Sequence, residues 1–270
     1  MIIDAHVHLF PPRVFDAIWR WFDRHAWNIR YRLYAEEVLA HLRAHGIARV
    51  VGLTYSHKPD MARSLNAFMA ELARAHPELV ALGTVLPGEP DAPAIVDEAL
   101  RLGLRGFKIH CHVQQMGPDD PRLDPVYARA ADAGVPVVIH SGRQPLHAAY
   151  GVDIEAICSA DATRRALERH PTLTMVVPHL GDDEEGAYFA LLDEFPNLHL
   201  DTTMIVGGYF ERRIDPALLE AHADRILYGT DFPNIPYEWD RELRWIEANL
   251  SSRARGKILG GNAARVFRID

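Results

Sequence analysis

The sequence predicts a closed (β/α)8 barrel, in which eight parallel strands are each followed by a helix. Short apolar runs rich in β-branched residues recur eight times along the 270 residues. The segments between them carry apolar residues at three- and four-residue intervals, as amphipathic helices do. Neither a linker nor a change of composition divides the chain, so we expect one barrel domain over residues 1–270.

The eight runs follow one another with helical segments between them. They begin near Ile2, Ala48, Leu79, Leu104, Val135, Leu173, Leu198 and Arg225. The helical segments include residues 36–45, 61–75, 94–102, 125–133, 162–169 and 216–223. Pro77, Pro171 and Pro196 each stand two residues before a strand-opening leucine, where a helix must end. An open doubly wound sheet is the alternative, but it needs no eighth strand and usually has a glycine-rich turn after its first strand.

Two segments interrupt this repeat. Residues 11–34 lie between the first strand and the first helix and are rich in tryptophan and tyrosine. An insertion at this point falls over the barrel mouth. We expect a helical cap that packs its aromatic side chains on the barrel or, alternatively, one wall of a pocket for an apolar or aromatic substrate. Residues 141–160, after the fifth strand, are a candidate second lid.

The charge balance excludes several kinds of partner. Lysine and arginine number 29 against 37 aspartates and glutamates, a net charge of −8 with neutral histidines. We therefore expect neither nucleic acid nor an anionic membrane as a partner. Two cysteines, Cys111 and Cys158, make neither a disulfide scaffold nor a thiolate zinc site. Without a signal-peptide pattern or a long apolar run, a cytoplasmic location is expected.

Histidine or aspartate ends six of the eight strands. In a parallel barrel the active site forms at the carboxyl ends of the strands, and residues two apart on a strand share a face. On the first strand this alternation places Asp4, His6 and His8 inside the barrel, and the intervening Ile3, Ala5 and Val7 against the helices. Later strands add Lys108, His110, His140, His179, Asp201 and Asp231 to the same end.

This set of side chains predicts a catalytic metal centre. Imidazoles and carboxylates without thiolates suit Zn2+, with Mn2+, Fe2+, Ni2+ or Co2+ as alternatives. Asp231 is expected to act as both ligand and base, and His179 to polarise a carbonyl or protonate a leaving group. Lys108 bridges two metals if it is carbamylated. Otherwise it orients a carboxylate, or pairs with Asp4 or Asp201 for structure alone.

In these motifs the chain resembles the amidohydrolase superfamily, and within it the amidohydrolase-related family that contains aminocarboxymuconate semialdehyde decarboxylase and resorcylate-type decarboxylases. The resemblance covers nearly the whole chain, and its motifs are Asp4-Ala-His6-Val-His8, Gly106-Phe-Lys108-Ile-His110, His140-Ser-Gly142, Pro178-His179-Leu-Gly181, Gly229-Thr-Asp231-Phe-Pro233 and Gly-Asn262-Ala. It implies one metal held by His6, His8, His140 and Asp231. It also implies that His179 is the catalytic histidine of the sixth strand.

Five further residues are predicted around the site. His110 and His112 either line the pocket or are hydrogen-bonded loop residues, and Arg143 either clamps a substrate carboxylate or is a surface charge. Asp4 and Asp201 are predicted to lie behind the ligands. Asp201 either fixes the tautomer of a ligating histidine or is a carboxylate that orders a loop.

Three functions are compatible with this pattern. The leading hypothesis is hydrolysis of a small amide, ester or lactone by metal-activated water, most simply with one Zn2+. The alternative is non-oxidative decarboxylation of a small aromatic or unsaturated carboxylic acid. A metal-binding protein without catalysis is the third. The expected partner is a small-molecule substrate. The aromatic insertion is also a candidate surface for a homodimer.

Overall fold

A computed structural model describes residues 1–209 and 213–269 of the chain. Residues 210–212 and 270, which belong to the predicted domain, lie outside the described residues. The strands are β1 (Ile3–His8), β2 (Arg49–Leu53), β3 (Leu79–Ala81), β4 (Gly83–Thr84), β5 (Phe107–His110), β6 (Val137–His140), β7 (Met175–Val177), β8 (Leu198–Asp201) and β9 (Ile226–Leu227).

Helices alternate with these strands along the chain. They are α1 (Pro12–His25), α2 (Ala35–Ala44), α3 (Ala62–Ala75), α4 (Ala92–Arg101), α5 (Cys111–Gln114), α6 (Asp124–Ala133), α7 (Ile154–Ile157), α8 (Ala160–Arg169), α9 (Glu185–Glu194), α10 (Pro216–Ala221), α11 (Arg241–Asn249), α12 (Ser252–Gly256) and α13 (Asn262–Phe267). None of the helices in the described part of the chain has the length and apolar character needed to span a bilayer.

The strands form two parallel sheets, β1-β2-β3 and β4 to β9 in chain order. β3 and β4 are the two halves of the predicted third strand. At the break between them, consecutive residues donate backbone hydrogen bonds to the strands on either side, and so connect the two sheets. The amide of Leu82 donates to the carbonyl of Gly52 at 2.9 Å, and the amide of Gly83 donates to that of Gly106 at 2.8 Å. The two sheets also meet between β9 and β1, at what we call the seam, where the amide of Ala5 donates to the carbonyl of Tyr228 at 2.9 Å. The predicted barrel fold is confirmed.

The first strand departs from the predicted alternation. Its register with β2 shifts between Asp4 and Val7. Such an irregularity changes which side chains face inward. Ile3 and Ala5 therefore pack with Val138 in an apolar cluster that is separate from the helix-facing core containing Val7. The prediction that Ile3 and Ala5 face the helices, and that Asp4 shares a face with His6 and His8, was wrong for this reason.

The C-terminal helix closes the end of the barrel that lies opposite the carboxyl ends of the strands. Val266 and Phe267 of α13 pack on the cluster that contains Ile3 and Ala5. We call this end of the barrel the floor, and the apolar cluster that contains Ile3, Ala5, Val266 and Phe267 the floor cluster. Phe267 is 1% exposed, so its ring is removed from water almost completely.

The aromatic insertion divides between the two roles expected for it. Phe15 and Trp19 of α1 stack with ring centroids 5.4 Å apart and belong to the buried core. Phe22 and Trp27, further along, line the cavity at the barrel mouth. The insertion is therefore both a helical cap and a pocket wall.

Candidate active site

Three side chains converge at the barrel mouth. The Nε2 atom of His8 lies 2.8 Å from Oδ1 of Asp231, and Nε2 of His6 lies 3.3 Å from the same oxygen. One ligand atom from each of the three residues lies within 4.8 Å of the others, and all three side chains are buried. Two imidazole nitrogens and a carboxylate oxygen at this spacing suit a divalent cation.

Backbone contacts between β1 and the segment after β9 fix the positions of these three residues. β1 carries both histidines, and the amide of Asp231 donates to the carbonyl of His6 at 2.9 Å. Asp231 has φ +67°, in the left-handed region that non-glycine residues seldom occupy. Burial raises the pKa of its carboxyl, but the facing His8 and His6 outweigh burial and hold the pKa well below its usual range. Asp231 is therefore a carboxylate at neutral pH.

Two buried carboxylates lie behind the ligands. Asp201 Oδ2 lies 2.8 Å from Nδ1 of His6, so that nitrogen carries the proton and Nε2 keeps its lone pair for a cation. Asp201 Oδ1 accepts the amide of His179 at 3.0 Å. Asp4 accepts the hydroxyl of Thr230 at 2.6 Å and the amide of His6 at 3.1 Å. Both carboxylates thus orient residues of the site.

His140 and His179 form a facing pair beside the three converging residues, and the ring of His179 lies 5.8 Å from that of His6 between centroids. Nδ1 of His140 lies 3.1 Å from Nε2 of His179. The other ring nitrogens lie near carbonyls, which only accept: Nε2 of His140 at 2.9 Å from Gln144 O, and Nδ1 of His179 at 3.0 Å from Thr203 O. Each ring therefore places its proton on the carbonyl side. Two lone pairs then face each other, an arrangement that a shared proton or a cation satisfies.

Burial keeps His8, His140 and His179 uncharged. It lowers the pKa of His8 to about 4 and that of His179 to about 4. Burial, with the neighbouring His110 and His112, lowers the pKa of His140 well below its ordinary value. Neutral imidazoles are the form that ligates a metal, so His8 and His140 are already in that form at neutral pH.

His6 differs from these three histidines. Burial and Lys108 lower its pKa, but Asp201 and Asp231 outweigh them and raise it above its ordinary value. A cation therefore competes with a proton at His6.

Lys108 is a buried cation in the same cavity. Its side chain is fully buried on β5, and Nζ has no hydrogen-bond partner among the described residues. Burial lowers its pKa to about 8, although Asp201 and Asp231 partly oppose that shift. The structure therefore gives Lys108 no paired carboxylate at hydrogen-bond distance, within residues 1–209 and 213–269.

Aromatic side chains wall the cavity, which encloses about 500 Å3 including the space open to solvent at its mouth. Phe22 and Trp27 come from the insertion, and Tyr55 follows β2. Gln144 and Tyr150, from the segment predicted as a second lid, complete the wall. Concave sites with apolar walls and a few polar groups are typical of small-molecule binding.

The remaining predicted residues divide around this cavity. His110 lines it and stacks on His140 with ring centroids 4.3 Å apart. His112 instead lies with Nε2 2.8 Å from the carbonyl of Gly142. Arg143 pairs with Glu184 at 3.0 Å and with Asp183 at 3.4 Å. Neither His112 nor Arg143 is among the lining residues, so their binding role stays a prediction without a supporting contact.

Several contributors were not predictable from residue types. The carbonyls of Gln144 and Thr203 fix the histidine tautomers through the main chain, which no side-chain motif signals. Asp182 also lines the cavity, in a segment where His179, Leu180 and Asp182 all have positive φ. For Tyr55, the only sequence feature that could have indicated a place in the site is its position just after a strand.

Comparison with known proteins gives the same fold and a family. The model of the amidohydrolase family matches residues 3–269. A γ-resorcylate decarboxylase of Rhizobium sp. (strain MTP-10005) is 25% identical over 260 aligned residues, covering 78% of this chain and 77% of the relative. An uncharacterized TIM-barrel protein of Bordetella bronchiseptica has a TM-score of 0.75 at 25% identity, covering 99% of this chain and 98% of that one.

Two other neighbours were solved with a metal. An amidohydrolase of Burkholderia multivorans with bound zinc has a TM-score of 0.67 at 18% identity and covers all of both chains. A 5-carboxyvanillate decarboxylase of Novosphingobium aromaticivorans with bound manganese has a TM-score of 0.69 at 17% identity, covering 99% of this chain and 97% of that one.

Proposed function

This chain belongs to the amidohydrolase family, and from that membership we propose that it is a metal-dependent hydrolase of a small amide, ester or lactone. Members of the family are enzymes. The donor set of His6, His8 and Asp231 supports a divalent cation. We propose a single Zn2+, with His140 as a fourth ligand, and a second cation only if Lys108 is carbamylated.

Each residue of the site has a distinct task in this reaction. A divalent cation held here lowers the pKa of water and polarises a carbonyl oxygen. The side chain of Asp231, 12% exposed, is the most exposed of the three and is placed to accept the proton of the attacking water. His179 lies beside His140 and donates to the leaving group after it has received that proton. The aromatic walls exclude bulk water from the reacting atoms.

The single observation that favours hydrolysis is the unpartnered ammonium of Lys108. In hydrolysis, negative charge grows on the carbonyl oxygen, so a buried cation stabilises the transition state more than the substrate. In decarboxylation, charge leaves the carboxylate for the carbon framework. A cation beside that carboxylate would then stabilise the substrate and slow the reaction.

Decarboxylation of an aromatic acid is the second candidate, because a different observation supports it. The relative described above is a decarboxylase, and the cavity has aromatic walls that suit a planar ring. In that reaction the carbon–carbon bond to the carboxylate breaks, CO2 leaves, and the ring carbon takes a proton. Asp231 would then supply the proton after taking it up from solvent.

A substrate panel on the metal-replete enzyme tests the proposal. We expect hydrolysis of at least one compound among lactones, esters and amides, measured as proton release for lactones and esters and as amine release for amides. CO2 release from hydroxybenzoates without any hydrolysis would replace the proposal with the second candidate. In His179→Ala we expect turnover to vanish while elemental analysis shows retained metal. Absence of turnover on every compound in the wild-type enzyme would support a metal-binding protein without catalysis.

A further inference from the structure

A second cavity lies at the floor of the barrel, at the opposite end from the candidate active site. It encloses about 770 Å3, including open solvent, and its polar lining comes from His199, Arg225, Arg265 and Arg268. His199 lies on β8 two residues before Asp201, so both side chains face inward but toward opposite ends. Arg265 lies on α13 and Arg268 directly follows it. The proposed hydrolase reaction uses none of these residues.

The three arginines have no carboxylate partner among the described residues. Arg225 uses one guanidinium nitrogen, Nη1, on the carbonyls of Phe195 at 3.0 Å and Leu198 at 3.4 Å. Arg265 uses one, Nη2, on the carbonyl of Asp224 at 2.7 Å and on Asn262 Oδ1 at 3.4 Å. A guanidinium has five N–H donors, so most of the donors remain available.

Asp224, whose main-chain carbonyl accepts from Arg265, has its carboxylate engaged elsewhere. The carboxylate of Asp224 pairs with Lys257 at 2.6 Å. The chain as a whole has an excess of acids, with a net charge of −8. A group of three arginines that shares no ion pair within the described residues is therefore a local reversal of the protein's charge.

His199 adds a buried donor to the same cavity. It is 6% exposed, and its Nδ1 has no hydrogen-bond partner among the described residues. Burial, followed by Arg265 and Arg225, lowers its pKa to about 4. The ring is therefore neutral at pH 7 and carries one N–H. A buried polar atom without a partner, facing a cavity, is unfavourable unless a ligand or water completes it.

We propose that the floor cavity binds a small oxyanion with two or more negative charges, either a phosphate group or a polycarboxylate. Guanidinium groups form paired hydrogen bonds to the oxygens of both kinds of anion. Arg225, Arg265 and Arg268 neutralise the charge, and His199 completes the contact at the closed end. The site is independent of the metal centre, because no lining residue is shared between the two cavities.

Calorimetric titrations with inorganic phosphate and with citrate, at constant ionic strength, test this site. For the wild-type protein we expect saturable binding of at least one of them with Kd on the order of 1 mM or tighter. Arg265→Gln and Arg268→Gln should each weaken that binding at least about tenfold, which corresponds to the loss of about 1.4 kcal/mol. A preference for phosphate or for citrate identifies which anion class the site takes.

Two controls separate this site from others. Arg74→Gln, at an exposed arginine of α3 with no ion pair among the described residues, should leave the affinity unchanged. Asp231→Asn should also leave it unchanged, whereas an anion bound at the metal centre would be affected. The inference is overturned if no saturable binding occurs, or if both floor variants retain wild-type affinity. Circular dichroism spectra check that the variants are folded, and His199→Asn is a further variant if either arginine change prevents folding.

Discussion

The two ends of this barrel are built from the same strands with opposite chemistry. On β6, Val138 packs in the apolar cluster of the floor, and His140, two residues later, lies in the site. On β1, Ile3 and Ala5 belong to the floor cluster, while the later histidines face the mouth. β1 and β6 thus each contribute an apolar side chain near the start of the strand and a polar one at its end.

This difference separates stability from chemistry along the barrel axis. The floor buries apolar side chains, which is the dominant favourable contribution to folding. The mouth holds buried imidazoles and carboxylates. Removing these groups from water opposes folding, whereas their reactivity serves the site. Changes at the mouth should therefore alter activity with little effect on stability, and changes within the floor cluster should do the opposite.

The largest effect is expected at the mouth, for Asp231→Asn. The amide cannot accept a proton from water and ligates a cation poorly, so turnover should fall on the order of 10³-fold. Metal content from elemental analysis should fall as well, while the thermal midpoint stays close to that of the wild type. Asp97→Asn, at an exposed carboxylate paired with Arg129, is the matched control. Full activity in Asp231→Asn would remove this residue from the reaction.

The floor cluster should respond in the opposite way to Phe267→Ala. Removing a ring that is 1% exposed leaves a cavity, and the free energy of unfolding should fall by about 3–5 kcal/mol. The turnover number of the folded protein should not change. Ile269→Ala, at a partly buried residue against the same cluster, should cost less. Urea unfolding measures both, and a large loss of turnover at a temperature where Phe267→Ala is fully folded would contradict the separation.

Lys108 lines the cavity at the mouth, and its effect on stability depends on pH. Its pKa in the folded protein is about 8, against an ordinary value of 10.5. Between these values the unfolded chain binds more protons, so this group makes stability rise with pH from about 8 to 10.5. The rise should be at most about 1.4 kcal/mol per pH unit and should be absent in Lys108→Met. Urea midpoints at several pH values compare the two proteins, and parallel curves would refute the shift.

A smaller effect is expected for Asp201→Asn. The change weakens the hydrogen bond that sets the tautomer of His6, and metal affinity should fall about 10–100-fold. Metal competition with a chelator measures this affinity. Asp183→Asn, at a carboxylate whose nearby partner is Arg143, is a control that should not change it. Equal affinity in both variants would show that the backbone, rather than Asp201, orients His6.

The sequence allowed the fold and the centre of the site to be predicted, for identifiable reasons. Short apolar runs that follow helix-ending prolines placed β3 and β8 at their observed first residues, Leu79 and Leu198. The position of His6, His8 and Asp231 at predicted strand ends brought them to one end of the barrel, as observed. Both signals are local and repeat along the chain, so they are readable without coordinates.

Other features depend on contacts between distant residues. The irregular register of β1 has no sequence signature. Next to it, Asp4 accepts a hydrogen bond from Thr230, a residue that is distant in the sequence. The pairing of Arg143 with Glu184 likewise depends on how two loops meet. That pairing engages a side chain for which the sequence suggested a substrate contact.

The ligands of the candidate metal centre are far apart in the order of synthesis. At the usual 5–20 residues per second, Asp231 is added roughly 10 to 45 s after His8. During that interval the nascent chain carries the two histidines of β1 without their carboxylate, and α13, which closes the floor, is still to come. The complete set of ligands is therefore available to a metal only late in the synthesis of each molecule, after most residues of the barrel have been added.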